Sequence, residues 1–176
     1  MKIVIGLGNP GREYVKTRHN LGFMFIEFLE KKYMSYKNRK ALSSLIYETS
    51  IGEQRVIFVK PQTYMNLSGE AVQKVKNWYK VENEDILIVF DDIDIDFGDI
   101  KYKENGSGGS HNGMKNIVQV LGTKEIPRLR IGTGNIKHED QDITNFVLEK
   151  FSKQELSKIE DVFIQAEDKF KEFIKK

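Results

Sequence analysis

The sequence predicts an α/β fold, a single-domain sandwich with a mixed, mostly parallel central sheet flanked by helices. Three observations carry that reading. Short apolar runs, Ile3-Val4-Ile5 and Ile86-Leu-Ile-Val-Phe90, end abruptly in a glycine turn and a pair of acids, the mark of strands buried on both faces. Between such runs lie stretches with apolar residues at helical spacing, and alternation of strands with helices favours parallel pairing. At 176 residues the chain has the length of one domain with a sizeable core.

Taken in order, Ile3–Ile5 breaks into Gly6-Leu-Gly-Asn-Pro-Gly11 and a polar loop holding His19 and Asn20. Residues 21–33 put Leu21, Met24, Phe25, Phe28 and Leu29 on one helical stripe, with Asn20 as N-cap. Residues 35–44 are polar and basic and read as a loop. Leu45–Ile51 and Arg55–Val59, split by Gly52-Glu53-Gln54, read as a hairpin. After a loop over residues 62–67, Ser68 opens a helix to Tyr79 with Ala71, Val72, Val75 and Trp78 inward. Strand 86–90 ends in Asp91-Asp92, and Phe97–Lys103 reads as an edge strand. The glycine-dense segment 105–113 leads into a helix over Met114–Leu121, followed by a strand at Arg128–Gly132. A polar linker and a short apolar run, Ile143–Leu148, precede a last amphipathic helix capped by Ser152 and ending near Ile174.

Composition narrows the classes of function. There is no cysteine, hence no disulfide, thiolate metal site or thiol nucleophile. No run of 18 apolar residues reads as a membrane span, and residues 1–20 lack a signal peptide's basic start and apolar core. These features favour the cytoplasm as the expected location, and nothing in the sequence demands more than a monomer. The 28 basic and 26 acidic residues leave a net charge of +2, so a nucleic-acid footprint would have to be local.

The chemistry concentrates past the ends of the apolar strands, where open α/β sheets bind ligands. His19 is the candidate general base, since an imidazole near neutrality takes a proton readily. It needs a carboxylate to fix its tautomer, and Asp91 or Asp92 supplies one. Side chains alternate along a strand, so at most one of that pair faces His19. His111 offers local hydrogen bonding at least as readily as function, and His138 lies in a solvated loop. Asn9, Asn66 and Asn112 offer amides for a carbonyl or an oxyanion. Gly6-x-Gly8-x-x-Gly11 matches the dinucleotide fingerprint on paper, but Pro10 removes an N–H and no helix opens directly after it. The run Asp91–Asp96 fails as a calcium loop, because the glycine falls at position 98 and position 103 is Lys. No metal and no cofactor is expected. Three readings stay open at this point: a hydrolase activating water, an RNA-binding module without catalysis, and a nucleotide-binding oxidoreductase.

Six motifs in order, Gly6-Leu-Gly-Asn-Pro-Gly11, Thr17-Arg-His-Asn-Leu-Gly22, Lys60-Pro-Gln-Thr-Tyr-Met-Asn-Leu-Ser-Gly69, Asp91-Asp-Ile-Asp94, Gly109-Ser-His-Asn-Gly113 and Arg128-Leu-Arg-Ile-Gly132, together resemble bacterial peptidyl-tRNA hydrolase. The resemblance implies an enzyme whose partner is peptidyl-tRNA and which cleaves the ester between peptide and terminal ribose. It implies His19 as the base on water, Asp91 as its orienting partner, and Asn9 as the group that separates N-blocked from free aminoacyl-tRNA. By the same likeness Asn66 and Asn112 hold the peptidyl or ester region, Tyr14 and Tyr64 contact tRNA or substrate, and Lys101, Lys103 and Arg130 grip tRNA phosphate. Further basic residues, Arg128 among them, could extend that rim. Phe90 departs from relatives with histidine there, and Ser107 and Ser110 interrupt a loop that relatives fill with glycine and histidine.

Overall fold

The computed structural model describes residues 1–134 and 142–176. His138 lies outside the described residues. Among the described residues seven strands form one sheet: β1 (Lys2–Gly6), β2 (Lys37–Ala41), β3 (Ser44–Ile51), β4 (Gln54–Pro61), β5 (Ile86–Asp92), β6 (Ile100–Lys103) and β7 (Arg128–Gly132). Their order is β2-β3-β4-β1-β5-β7-β6. The central strands β4, β1, β5 and β7 pair in parallel, with antiparallel pairs at both margins. The helices are α1 (Leu21–Tyr33), α2 (Ser68–Tyr79), α3 (Asn112–Leu121), α4 (Ile143–Leu148) and α5 (Lys153–Ile174). Among the described residues no helix is long and apolar enough to cross a membrane.

Strand alternation builds two cores from the same chain. On β1 and β5, Val4, Leu87 and Val89 face one side, where α1 and α5 bury Phe25, Leu29, Phe163 and Phe170. Ile3, Ile5, Ile86, Ile88 and Phe90 face the other, against α2 and α3 with Val72, Val75, Met114 and Ile117. Each large apolar side chain so buried contributes about 1.5–3 kcal/mol, which is why β1 and β5 carry no polar residue until their ends. Ser152 and Glu155 close a capping box at the start of α5. Inside the interface, Glu167 of α5 accepts from Lys32 Nζ (2.6 Å) and the Tyr33 hydroxyl of α1.

Three local expectations are corrected. Residues 37–41 form an edge strand, joined to β3 by Leu42 and Ser43, both with φ of 55°. That is a hairpin turn made without its usual Asn-Gly, and lysines on an edge strand discourage pairing with other chains, so neither signal read as a strand. Trp78 is 60% exposed; Tyr79 completes the inward stripe by giving its hydroxyl to Glu48 (3.0 Å), while Trp78 lies beside the Arg39 guanidinium. Asn20 occupies the N-cap position of α1 without a side-chain cap bond, because its amide is engaged elsewhere. The short run 143–148 folds as α4, capped by Asp142.

Gly6 and Gly8 of the first motif are explained by helix packing. A Cβ on Gly6 would strike the Gly22 carbonyl, and one on Gly8 would come within 2.6 Å of the Phe23 ring. Reciprocally, a Cβ on Gly22 would strike the Leu7 nitrogen and approach the Val89 carbonyl to 2.5 Å. These positions let α1 lie against the ends of β1 and β5, and the residues just ahead of α1 are thereby pressed against β5. In an exposed helix Gly22→Ala would gain about 1 kcal/mol. Here the blocking atoms are backbone, so we expect a loss of about 1–3 kcal/mol, read as a lower urea midpoint at unchanged slope.

Candidate active site

Asp91, at the carboxyl end of β5, is 2% exposed, and both of its oxygens are bonded. His19, in the short turn ahead of α1, places Nδ1 2.9 Å from Oδ2. His111, ahead of α3, places Nε2 3.0 Å from Oδ1. One imidazole thus arrives from each helical layer. His111 Nδ1 accepts the Met114 N–H (3.1 Å) as the N-cap of α3, so its proton must sit on Nε2 and be donated to Asp91. An ionised Asp91 can only accept, so the His19 proton sits on Nδ1 and leaves Nε2 as a bare lone pair. Alternation sends Asp92 the other way, to Arg130 Nη1 (3.2 Å).

Burial alone would raise the Asp91 carboxyl, but the two imidazoles outweigh it and hold the group below the ordinary carboxylate range. Burial alone would lower His19; the charge and hydrogen bond of Asp91 outweigh that and raise it above 6.5. His19, Asp91 and His111 are the donor-rich cluster among the described residues, with ligand atoms within 4.8 Å of one another. The lone pairs that a cation would need from Asp91 are those that accept the two imidazole protons.

The pair opens into a cavity of about 480 Å³ whose lining includes Asn9, Tyr14, Tyr64, Asn66, Asn112, Lys103 and Arg130. Asn9 is held from three directions. Its backbone N–H donates to Asn20 Oδ1 (2.8 Å), its carbonyl accepts from Asn20 Nδ2 (2.9 Å), and its Oδ1 accepts the Met65 N–H (2.7 Å). With Oδ1 committed, Nδ2 is the end of the amide left for a ligand. Asn66 and Asn112 line the cavity and are exposed. Tyr14 and Tyr64 meet edge to face, ring centroids 6.4 Å apart, and Tyr64 sits at φ 64°, ψ 159°, a backbone region close to glycine-only.

Sequence comparison places these features in a family. The family model "Peptidyl-tRNA hydrolase" matches residues 3–176. The chain belongs to the peptidyl-tRNA hydrolase family. A Clostridium perfringens peptidyl-tRNA hydrolase is 43% identical over 175 residues, covering 99% of this chain and 92% of the relative. One from Clostridium botulinum is 45% identical over 166 residues, 94% and 86% of the two chains. The crystal structure of peptidyl-tRNA hydrolase from Acinetobacter baumannii superposes with a TM-score of 0.85 at 31% identity, covering 99% of this chain and 93% of that one. Its Arg119Gln mutant gives 0.86 at 32% identity, with the same coverage.

Within this family member, most of the residues singled out from the sequence line one cavity. Lys101 does not line it; with Lys103 it lies exposed on β6, on the same face as Arg130, its cross-strand partner. Arg128 is no rim cation. It is 1% exposed, and its guanidinium donates to the carbonyls of Ile126 (3.1 Å), Ser107 (2.8 Å) and Lys124 (3.0 Å), tying down the glycine-dense loop. Burial, with Arg130 nearby, pushes its pKa down to about 10. His111 was undervalued by the sequence. Its signal was its place at a helix start, at the end of the glycine-dense segment.

The linkage has a definite sign. A carboxyl lowered on folding contributes stability above its unfolded pKa near 3.9, and that stability is lost as pH falls toward the folded value. Asp91→Asn replaces one acceptor with a donor facing an imidazole N–H. It should cost about 1–3 kcal/mol at neutral pH. Urea unfolding between about pH 6 and pH 2 should show a shallower acid loss in this variant than in the wild type.

Proposed function

We propose that this chain cleaves the ester of peptidyl-tRNA with water activated by His19. The observation that carries the reading is the buried 2.9 Å contact between His19 Nδ1 and Asp91 Oδ2, which turns a bare Nε2 toward the cavity. Water bound at Nε2 gives its proton to the imidazole as its oxygen forms a bond to the ester carbonyl carbon. Asp91 steadies the imidazolium without taking the proton. The amide Nδ2 of Asn9, with Asn66 and Asn112 at the opening, offers neutral donors to the developing oxyanion. Collapse of the tetrahedral intermediate breaks the bond to the ribose oxygen, which takes the proton back from His19. Peptide acid and free tRNA result. An alkoxide leaves more readily than an amine, so one base, one carboxylate and neutral amides are adequate.

His111 is a positioning residue here: by filling the second oxygen of Asp91 it leaves that carboxylate one orientation toward His19. Lys103 and Arg130 at the opening, with Lys101 beside them, supply positive charge where the RNA phosphates enter. Gly6 and Gly8, which matched the dinucleotide fingerprint, serve α1 packing, and Gly11 turns the chain at φ 118° beside Glu13, so none of the three calls for the oxidoreductase reading.

The test is hydrolysis of N-acetyl-aminoacyl-tRNA. His19→Ala should lose roughly 10²–10⁴-fold in kcat while binding uncharged tRNA with wild-type affinity; turnover near the wild-type rate would refute the base assignment. Because only neutral His19 is a base, kcat/KM should rise with pH through a midpoint above 6.5. In Asp91→Asn that midpoint should fall, together with the plateau. Replacing Lys103 with alanine should weaken tRNA binding and reduce the slope of log affinity against log salt by about 1.

A further inference from the structure

We propose that a second cavity, back to back with the catalytic one, receives the peptide residues upstream of the ester; this rests on the peptidyl-ester reading above. The segment from Asn9 to Asn20 is a wall with one side on each. Asn9, Tyr14 and His19 line the catalytic side, while Pro10, Val15 and Asn20 line a cavity of about 610 Å³ behind it. Asn9 lines both. In the hydrolytic reading Asn9 lies beside the ester carbonyl, so a peptide leaving that carbonyl meets this rim first. An extended chain advances about 3.3–3.6 Å per residue, and a few residues are enough to pass a wall one loop thick.

The wall is built to stay in place. Both backbone bonding groups of Asn9 are held by the Asn20 amide, at 2.8 and 2.9 Å. Lys16 adopts φ of 66°, and its neighbour Val15 is 53% exposed at the mouth of the second cavity. The floor beyond is apolar, with Phe23, Met24 and Phe28 of α1. Its one acid, Glu27, is paired with Lys60 (2.9 Å), which leaves Arg12, Lys16 and Lys31 to make the rim positive. A surface of this kind takes apolar side chains and disfavours basic ones, and its place directly across Asn9 from the catalytic cavity points to the substrate's own peptide, passing over that wall, as occupant.

The experiment compares three N-acetylated substrates: a tRNA esterified with one residue, and the same ester preceded by three leucines or by three serines. In the wild type, KM for the leucine substrate should lie roughly tenfold below that for the serine substrate, with kcat alike. Each variant is normalised to its own rate on the single-residue substrate. In Val15→Asp and Met24→Asp the leucine-to-serine ratio should collapse toward one, and in Trp78→Asp, on a distant exposed surface, it should persist. Equal KM values in the wild type, a preference that survives both cavity variants, or one lost equally in Trp78→Asp would overturn the subsite. Failure to cleave the single-residue ester would instead overturn the hydrolytic reading.

Discussion

Asp91 sits where β5 runs out between the two helical layers, and each oxygen of its carboxylate accepts a proton from a different layer, His19 on the α1 side and His111 on the α3 side. A buried carboxylate is costly unless it is fully bonded, and here the bonding groups are themselves fixed. His111 is anchored as the N-cap of α3, and His19 is carried by the turn that α1 presses against β1 and β5 through Gly6 and Gly22. The charge therefore depends on both helix positions, and both helix starts are tied to the charge. The same bonds set the two tautomers, which is how a packing arrangement becomes a base with a bare nitrogen.

The loops around this pair follow the same logic of spent polar groups. Asn9 has its backbone and its carbonyl oxygen committed, which leaves one donor end. Arg128 commits its guanidinium to three carbonyls beneath the glycine-dense loop that leads into His111. Arg18 reaches the Phe146 carbonyl and Glu149, so the strand-like segment after α4 is fastened beside the His19 turn. Rigid surroundings of this kind hold reacting groups to the sub-ångström placement that catalysis requires.

Much of the fold and the centre of the site were legible in the sequence. Continuous apolar runs marked β1 and β5, and period-two alternation correctly parted Asp91 from Asp92. That His19 needs a carboxylate from the Asp91-Asp92 pair followed from the chemistry of an imidazole base, and the choice of Asp91 came with the family resemblance. What escaped was set by tertiary contacts without a local signature. Strand β2 has no apolar alternation because it is an exposed edge, and its turn uses Leu42 and Ser43 in place of glycine. Trp78 fitted a helical stripe that Tyr79 completes. Arg128 looked like one more surface cation, since nothing local reveals three carbonyls converging on a buried guanidinium. His111 carried two roles at once, and one sequence position gave no way to see the carboxylate waiting across the sheet end.

The most direct measurement is the ¹⁵N–¹H correlation spectrum of the imidazole rings in labelled protein, recorded at a pH above the His19 titration. His19 should carry its proton on Nδ1 with a bare Nε2, and His111 should carry its proton on Nε2 with Nδ1 accepting from the backbone. In Asp91→Asn the His19 preference for Nδ1 should weaken. A His19 ring protonated on Nε2 in the wild type, with Nδ1 bare against a charged carboxylate, would contradict the arrangement on which the base assignment stands.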